Sequence, residues 1–218
     1  MSIRIVLVDD HKLLRKGLAE LIKQKMGMDV VGEAEDGITA IRMAFKLKPD
    51  VVCMDVSMPD LNGIEATRQI LRDSPKAAVL GLSMHADSQY VTEMLRAGAK
   101  GYMLKDSAEK EFIHAIKTVS DGCTYLSPQI TGVVVDSHIR RHAEDGENDS
   151  AYSILSNRER EVLQLLAEGY ATKGVAEKIG RSVKTAESHR RNIMQKLKLH
   201  SVAELTKYAI RQGITDVS

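Results

Sequence analysis

The chain has 218 residues, a length that suits two modest domains. It carries 31 Lys and Arg against 30 Asp and Glu, and a formal net charge of +1 excludes a wholly basic nucleic-acid coat or a long acidic tail. The hydrophobic fraction is 43%, no apolar stretch reaches the ~18 residues of a membrane span, and the polar start predicts no signal peptide. Short apolar runs at 3–8, 28–31, 51–54, 77–82 and 101–104 predict five strands. Helical spacing lies between them, at Leu14, Leu18, Leu21 and Ile22, at 64–71, at 91–95, and at Phe112, Ile113, Ile116 and Val119. Strands alternating with helices imply an α/β doubly wound parallel sheet, and apolar rather than alternating strands fit burial on both faces. Cys53 falls inside a predicted strand and reads as inert core; with Cys123 it makes neither a disulfide framework nor zinc-ligand spacing, which fits a reducing cytoplasm.

Ser127-Pro128 reads as a helix start, with Ser as N-cap and Pro at the first helical position. Residues 143–150 contain no large apolar side chain and are expected to be a flexible joint. Beyond it, 155–169, 172–179, 182–199 and 201–212 predict a small all-α domain. The domain plan is therefore 1–120, a linker at 121–150 with a short helix, and 151–218. The joint also divides the charge. Residues 1–149 carry 19 basic and 23 acidic side chains, a net of −4, whereas 150–218 carry 12 and 7, a net of +5. A basic helical module is suited to phosphate, and opposite charges on the two halves permit an attraction between them. The aromatic fraction is 4% with no Trp, so stacking on single-stranded nucleic acid is not expected.

Asp9 and Asp10 end the first predicted strand, Asp55 the third, Ser83 the fourth and Lys105 the fifth. In a doubly wound sheet those carboxyl ends are where ligands bind. Three carboxylates gathered there repel unless a cation joins them, and oxygen donors favour a hard ion, Mg²⁺. Lys105 and Ser83 add a point charge and a hydroxyl suited to a phosphoryl group, with an aspartate available as nucleophile. An isolated Asp-Asp pair also serves to cap a helix, and an isolated lysine is ordinarily a solvated charge; it is the four strand ends together that point to chemistry. His11 reads as the start of the first helix rather than as a ligand.

The segments VLVDDH, CMDVSMPDLNG, GLSMHA and GAKGYMLKD resemble, in order and spacing, the receiver domain of bacterial response regulators. The resemblance implies a CheY-like fold in which Asp55 accepts phosphoryl from a sensor histidine kinase. It implies Mg²⁺ ligation by Asp10, Asp55 and the main-chain carbonyl of Ser57, with Asp9 assisting through water. It makes Ser83 and Lys105 the partners of phosphoryl oxygens and Tyr102 a ring that moves inward with Ser83. Pro59 and Gly63 match the turn after the acceptor.

LSNREREVLQLLAEGY, KGVAEKIGRSVKTAESHRRNIMQKL and HSVAELTKYAI resemble the LuxR-type helix-turn-helix domain, and the whole chain resembles the NarL/FixJ family. The residues fit. Ser156 and Glu159 form a predicted capping box, and Gly180-Arg181-Ser182 a turn with Ser182 as N-cap. On the helix that follows, Ala186, Ile193 and Leu197 share one face, and Lys184, Glu187, Ser188 and Arg191 the opposite one. The resemblance puts Glu187, Ser188 and Arg191 at bases in the major groove and Lys184, Thr185, His189 and Arg190 near phosphates; a Glu187–Arg191 pair on a solvated face is the alternative. It makes Leu205, Tyr208 and Ala209 a dimerising stripe, which packing on the domain's own core would also explain. It implies a homodimer, promoter DNA with an inverted repeat and RNA polymerase as partners. Where the family shows Ser-Asn-Lys-Glu, this chain has Ala171-Thr172-Lys173-Gly174, which removes both members of a capping box and leaves Thr172 as a cap one residue later. Arg181 and Ala186 also replace larger apolar residues of the pattern. The expectation is a phosphorylation-controlled transcription factor, not an enzyme. A freestanding aspartate-nucleophile phosphatase shares the chemistry, but no cap region is visible and Asp55 lies on the third strand.

Overall fold

In the computed structural model, which describes residues 2–84, 86–134 and 154–215, the apolar runs of the first half form one parallel sheet. In chain order the elements are β1 (Ile3–Val8), α1 (Lys12–Lys23), β2 (Met28–Ala34), α2 (Gly37–Leu47), β3 (Val51–Asp55), α3 (Gly63–Asp73), β4 (Ala78–Ser83), α4 (Ser88–Arg96), β5 (Gly101–Leu104), α5 (Glu109–Ser120) and β6 (Tyr125–Leu126). The strand order is β2-β1-β3-β4-β5-β6, with every neighbouring pair parallel. Every residue of β3 and β4 is buried, as continuous apolar strands require. Ile5, Leu7, Cys53 and Leu80 pack on one face with Ile22 of α1 and Phe112 and Ile116 of α5. On the other face Gly32 lies against Met43 and Leu47 of α2, and Gly81 against Met94 of α4.

One expectation needs correction. The sheet has six strands, not five. A two-residue strand is too short to register as periodicity, and β6 forms because Gly101 leaves room: a Cβ there would stand 3.0 Å from the Tyr125 carbonyl oxygen. Within 121–134, Ser127 and Ile130 are completely buried, and helical residues begin at Pro128 as its N1 position predicts. The joint expected at 143–150 lies outside the described residues. The apolar spacing does not predict α2. Its fully buried positions are Gly37, Ala40 and Ala44, while Ile41, Met43 and Leu47 are half-buried and Ile38 and Phe45 are exposed, so its large apolar residues mark no single face. What starts it is Asp36, whose carboxylate accepts from the Thr39 amide at 2.7 Å. β2 extends to Ala34 because a register shift between Ile5 and Val6 of β1 absorbs Val31, beyond which pairing resumes.

The second unit is helical: α6 (Asn157–Ala167), α7 (Thr172–Lys178), α8 (Val183–Leu197) and α9 (Val202–Arg211). Its core joins Val162, Leu166, Val175, Ala186, Ile193 and Leu205. Ser156 and Glu159 form the predicted capping box, and Ser201 and Glu204 form a second one on α9. α7 begins without a side-chain cap. Its N-cap is Ala171, and Thr172 is the first helical residue, so Thr172 does not take over the capping role. Gly180, with φ +62°, turns the chain from α7 into α8, and the Arg181 amide closes the turn on the Ala176 carbonyl at 2.9 Å. Ser182 caps α8 by accepting from the Thr185 amide at 3.2 Å. Among the described residues no helix is long and apolar enough to cross a membrane.

Candidate functional site

The parallel register brings the strand-end residues together. Val8 pairs with Met54, so Asp9 lies beside Asp55; Asp55 pairs with Leu82, next to Ser83; and Ser83 pairs with Leu104, next to Lys105. Lys105 Nζ sits 2.7 Å from Asp55 Oδ2 and 2.9 Å from Asp9 Oδ2. Asp9, Asp55 and Ser83 are each at most 2% exposed, so these charges meet with little solvent between them. The Ser57 amide donates to Asp55 Oδ1 at 3.2 Å, and the His11 amide donates to Asp9 Oδ1 at 2.8 Å. Burial pushes the Asp55 carboxyl up to about 7, with Asp9 adding to the rise, against the pull of Lys105 and the Ser57 amide. Burial opposes the charge on Lys105, but Asp55 and Asp9 outweigh it and raise its pKa.

The arrangement suits a divalent cation. Ligand atoms of Asp9, Asp10, His11 and Asp55 lie within 4.8 Å of one another. The buried Asp9 Oδ2 and Asp55 Oδ2 both turn to Lys105 Nζ, so a single lysine serves two buried carboxylates. Carboxylates in excess of their cations are the donor set of a hard ion. The Tyr102 ring is fully buried on β5, where a Cβ on Gly81 would come within 3.3 Å of it. Gly63 backs the acceptor so closely that a Cβ there would stand 1.9 Å from the Asp55 carbonyl oxygen. His11, read from the sequence as the start of the first helix, is the N-cap of α1 and turns its Nδ1 to Asp10 Oδ1 at 2.8 Å. One residue at this site, Arg15, carries no motif signal. Arg15 is 8% exposed and donates to the Asp9 carbonyl, with Glu33 at 3.4 Å on its other side. Its one visible sign is a charge on the α1 stripe otherwise made by Ala19 and Ile22.

In the second unit, Lys184, Glu187, Ser188 and Arg191 are exposed on one face of α8, while Ala186 and Ile193 are buried behind them. Thr185, His189 and Arg190 are half-buried along the flanks. Among the described residues no ion pair joins Glu187 and Arg191. On the α9 stripe, Leu205 and Ala209 are completely buried in the core of their own domain and Tyr208 is half-buried, because this face packs on α6.

Residues 5–117 match the response regulator receiver domain, and residues 153–209 match the bacterial regulatory proteins of the luxR family. Over 215 residues the chain is 40% identical to the oxygen regulatory protein NreC of Staphylococcus carnosus, covering 98% of this chain and 99% of that protein. It is 36% identical over 223 residues to the transcriptional regulatory protein DegU of Brevibacillus brevis, covering 97% and 94%. The structure of RcsB from Salmonella enterica serovar Typhimurium, bound to promoter P1flhDC in the presence of the phosphomimetic BeF3−, is 26% identical with a TM-score of 0.62, covering 99% of this chain and all of that one. The acidic strand-end cluster and the turn between α7 and α8 thus belong to one known architecture, and the chain is a member of the LuxR-type response regulators, phosphorylation-dependent transcriptional regulators of two-component systems.

Proposed function

We propose that Asp55 is the phosphoacceptor and that its phosphorylation governs binding of α8 to promoter DNA. The observation that carries this is the juxtaposition of Asp9, Asp55 and Lys105 at the carboxyl ends of β1, β3 and β5. An Asp55 carboxylate oxygen forms the O–P bond as the N–P bond of a phosphohistidine donor on a sensor kinase breaks. Lys105 lies where it pairs with a phosphoryl oxygen, and the Ser83 hydroxyl takes another. Asp10, Asp55 and the Ser57 carbonyl would hold Mg²⁺, with Asp9 acting through water. Bound there, the ion supplies charge neutralisation for carboxylates and phosphoryl oxygens. Ser83 and Tyr102 report the new charge by shifting the populations of two receiver states. The only chemistry this assigns to the protein is uptake and loss of its own phosphoryl group.

In the helical unit, α8 enters the major groove. Glu187, Ser188 and Arg191 face bases, while Lys184, Thr185, His189 and Arg190 lie toward phosphates. Two copies bind an inverted repeat in cytoplasmic promoter DNA, where they meet RNA polymerase. The promoter-bound RcsB neighbour supports this, as does the exposed basic face of α8. The test is incubation with acetyl phosphate and Mg²⁺, followed by intact mass and selection of bound duplexes. Wild type gains one phosphoryl group and enriches specific DNA; Asp55→Ala gains none. A stable adduct on Asp55→Ala overturns the site, and failure to enrich any duplex overturns the DNA-binding reading.

A further inference from the structure

The polar groups on α8 divide into those already committed to the helix and those that are not. Ser188 Oγ donates back to the Lys184 carbonyl at 3.0 Å, and Thr185 Oγ1 lies 2.9 Å from Ser182 Oγ. Lys184, Glu187 and Arg191 are exposed and have no side-chain partner among the described residues. An i, i+4 Glu-to-Arg order is the one in which a helix surface pair gains most, yet no ion pair joins these two among the described residues.

An uncommitted carboxylate on a DNA-facing helix is a selective group. Phosphates repel it, and it can only accept hydrogen bonds. The major groove offers it two donors, the amino groups of cytosine and adenine. Adenine sets an N7 acceptor beside its amino group, where the second carboxylate oxygen would meet another lone pair. Cytosine has no acceptor on its own major-groove edge. Arg191, four residues on, has the fork that guanine O6 and N7 accept. Side chains so spaced lie about 5–6 Å apart at Cβ, and base pairs rise about 3.4 Å, so the two contacts fall one or two base steps apart.

We propose that Glu187 is a base-specificity determinant that accepts from the amino group of one cytosine in each half-site, with Arg191 reading a guanine one or two steps away. This rests on the reading that α8 enters the major groove. Glu187 acts chiefly by exclusion, since a duplex without a donor at that step leaves its charge facing acceptors and phosphates.

The full chain, treated with acetyl phosphate and Mg²⁺, is used to select duplexes from a randomised library, alongside Glu187→Ala and Glu187→Gln. Wild type is expected to fix one C·G pair per half-site, with roughly tenfold or greater loss on replacing it. Glu187→Ala loses preference at that step alone and binds unselected duplex as tightly or more tightly. Glu187→Gln, which can donate as well as accept, moves the preference toward adenine. If Glu187→Ala keeps the wild-type preference at every step, the proposal is overturned while promoter binding stands. If wild type enriches no duplex, the groove reading falls and the proposal with it.

Discussion

Burial works against the charge on Asp55, and Lys105 only partly restores it. The folded carboxyl sits at about 7, whereas the ordinary aspartate value is 3.8. Between those two values the folded chain holds a proton that the unfolded chain has released. Stability from this group is therefore full below about 4, falls as the pH rises toward about 7, and levels off above it. In EDTA, Asp55→Asn removes that dependence. Relative to wild type, the variant should gain about 2–3 kcal/mol between pH 5 and pH 8, read from urea unfolding of the receiver transition. Parallel pH profiles for the two proteins would contradict the assignment. The same residue illustrates what motif spacing carries. Asp9, Asp55, Ser83 and Lys105 were all legible as strand-end residues, because parallel strands align their ends. Arg15 was not, because its contact with the Asp9 carbonyl is made across six residues of chain by the packing of α1 against the sheet.

At the scale of single elements, helix starts decide most boundaries. Ser156, Ser182 and Ser201 each cap a helix, and the helices begin where those residues predict. α7 is the exception, with Ala171 at the N-cap and Gly174 three residues on. A Cβ at Gly174 would meet Tyr170 at an ordinary 3.5 Å, so the backbone leaves room for a side chain. The double substitution Ala171→Ser with Gly174→Glu rebuilds a capping box and removes a helix glycine. It should stabilise the domain by about 1–2 kcal/mol, measured as a higher melting temperature of a 150–218 fragment. An unchanged midpoint would show that the missing cap costs this domain nothing. α2 and β6 teach the opposite lesson: α2 buries alanines and exposes Phe45, and β6 needs a partner strand to exist, so local pattern alone identifies neither.

For the whole molecule, the net charge of +1 conceals halves of −4 and +5. Attraction of the basic half to DNA is a counterion-release effect, so log K should fall linearly with log salt. Lys184 is an exposed cation on the face of α8 and is assigned to phosphate. Lys184→Ala should weaken binding to all duplexes about equally and flatten the slope by about one per bound copy. An unaltered slope in fluorescence-anisotropy titrations from 50 to 200 mM salt, as an order-of-magnitude range, would remove Lys184 from the phosphate contacts. This response differs from that of Glu187, whose replacement changes which sequence is bound.

The sequence alone determined the two-part plan, the doubly wound sheet, the strand-end constellation and the polar face of α8. Each is written in local period, capping residues or spacing along one element, and these act over a few residues. Only the tertiary structure decided that Leu205 and Ala209 face inward, that Tyr125 and Leu126 add a sixth strand, and that no ion pair joins Glu187 and Arg191 among the described residues. Burial is a property of what packs against a surface. An apolar stripe on α9 has the same sequence signature whether a second copy or its own α6 covers it, and here α6 does.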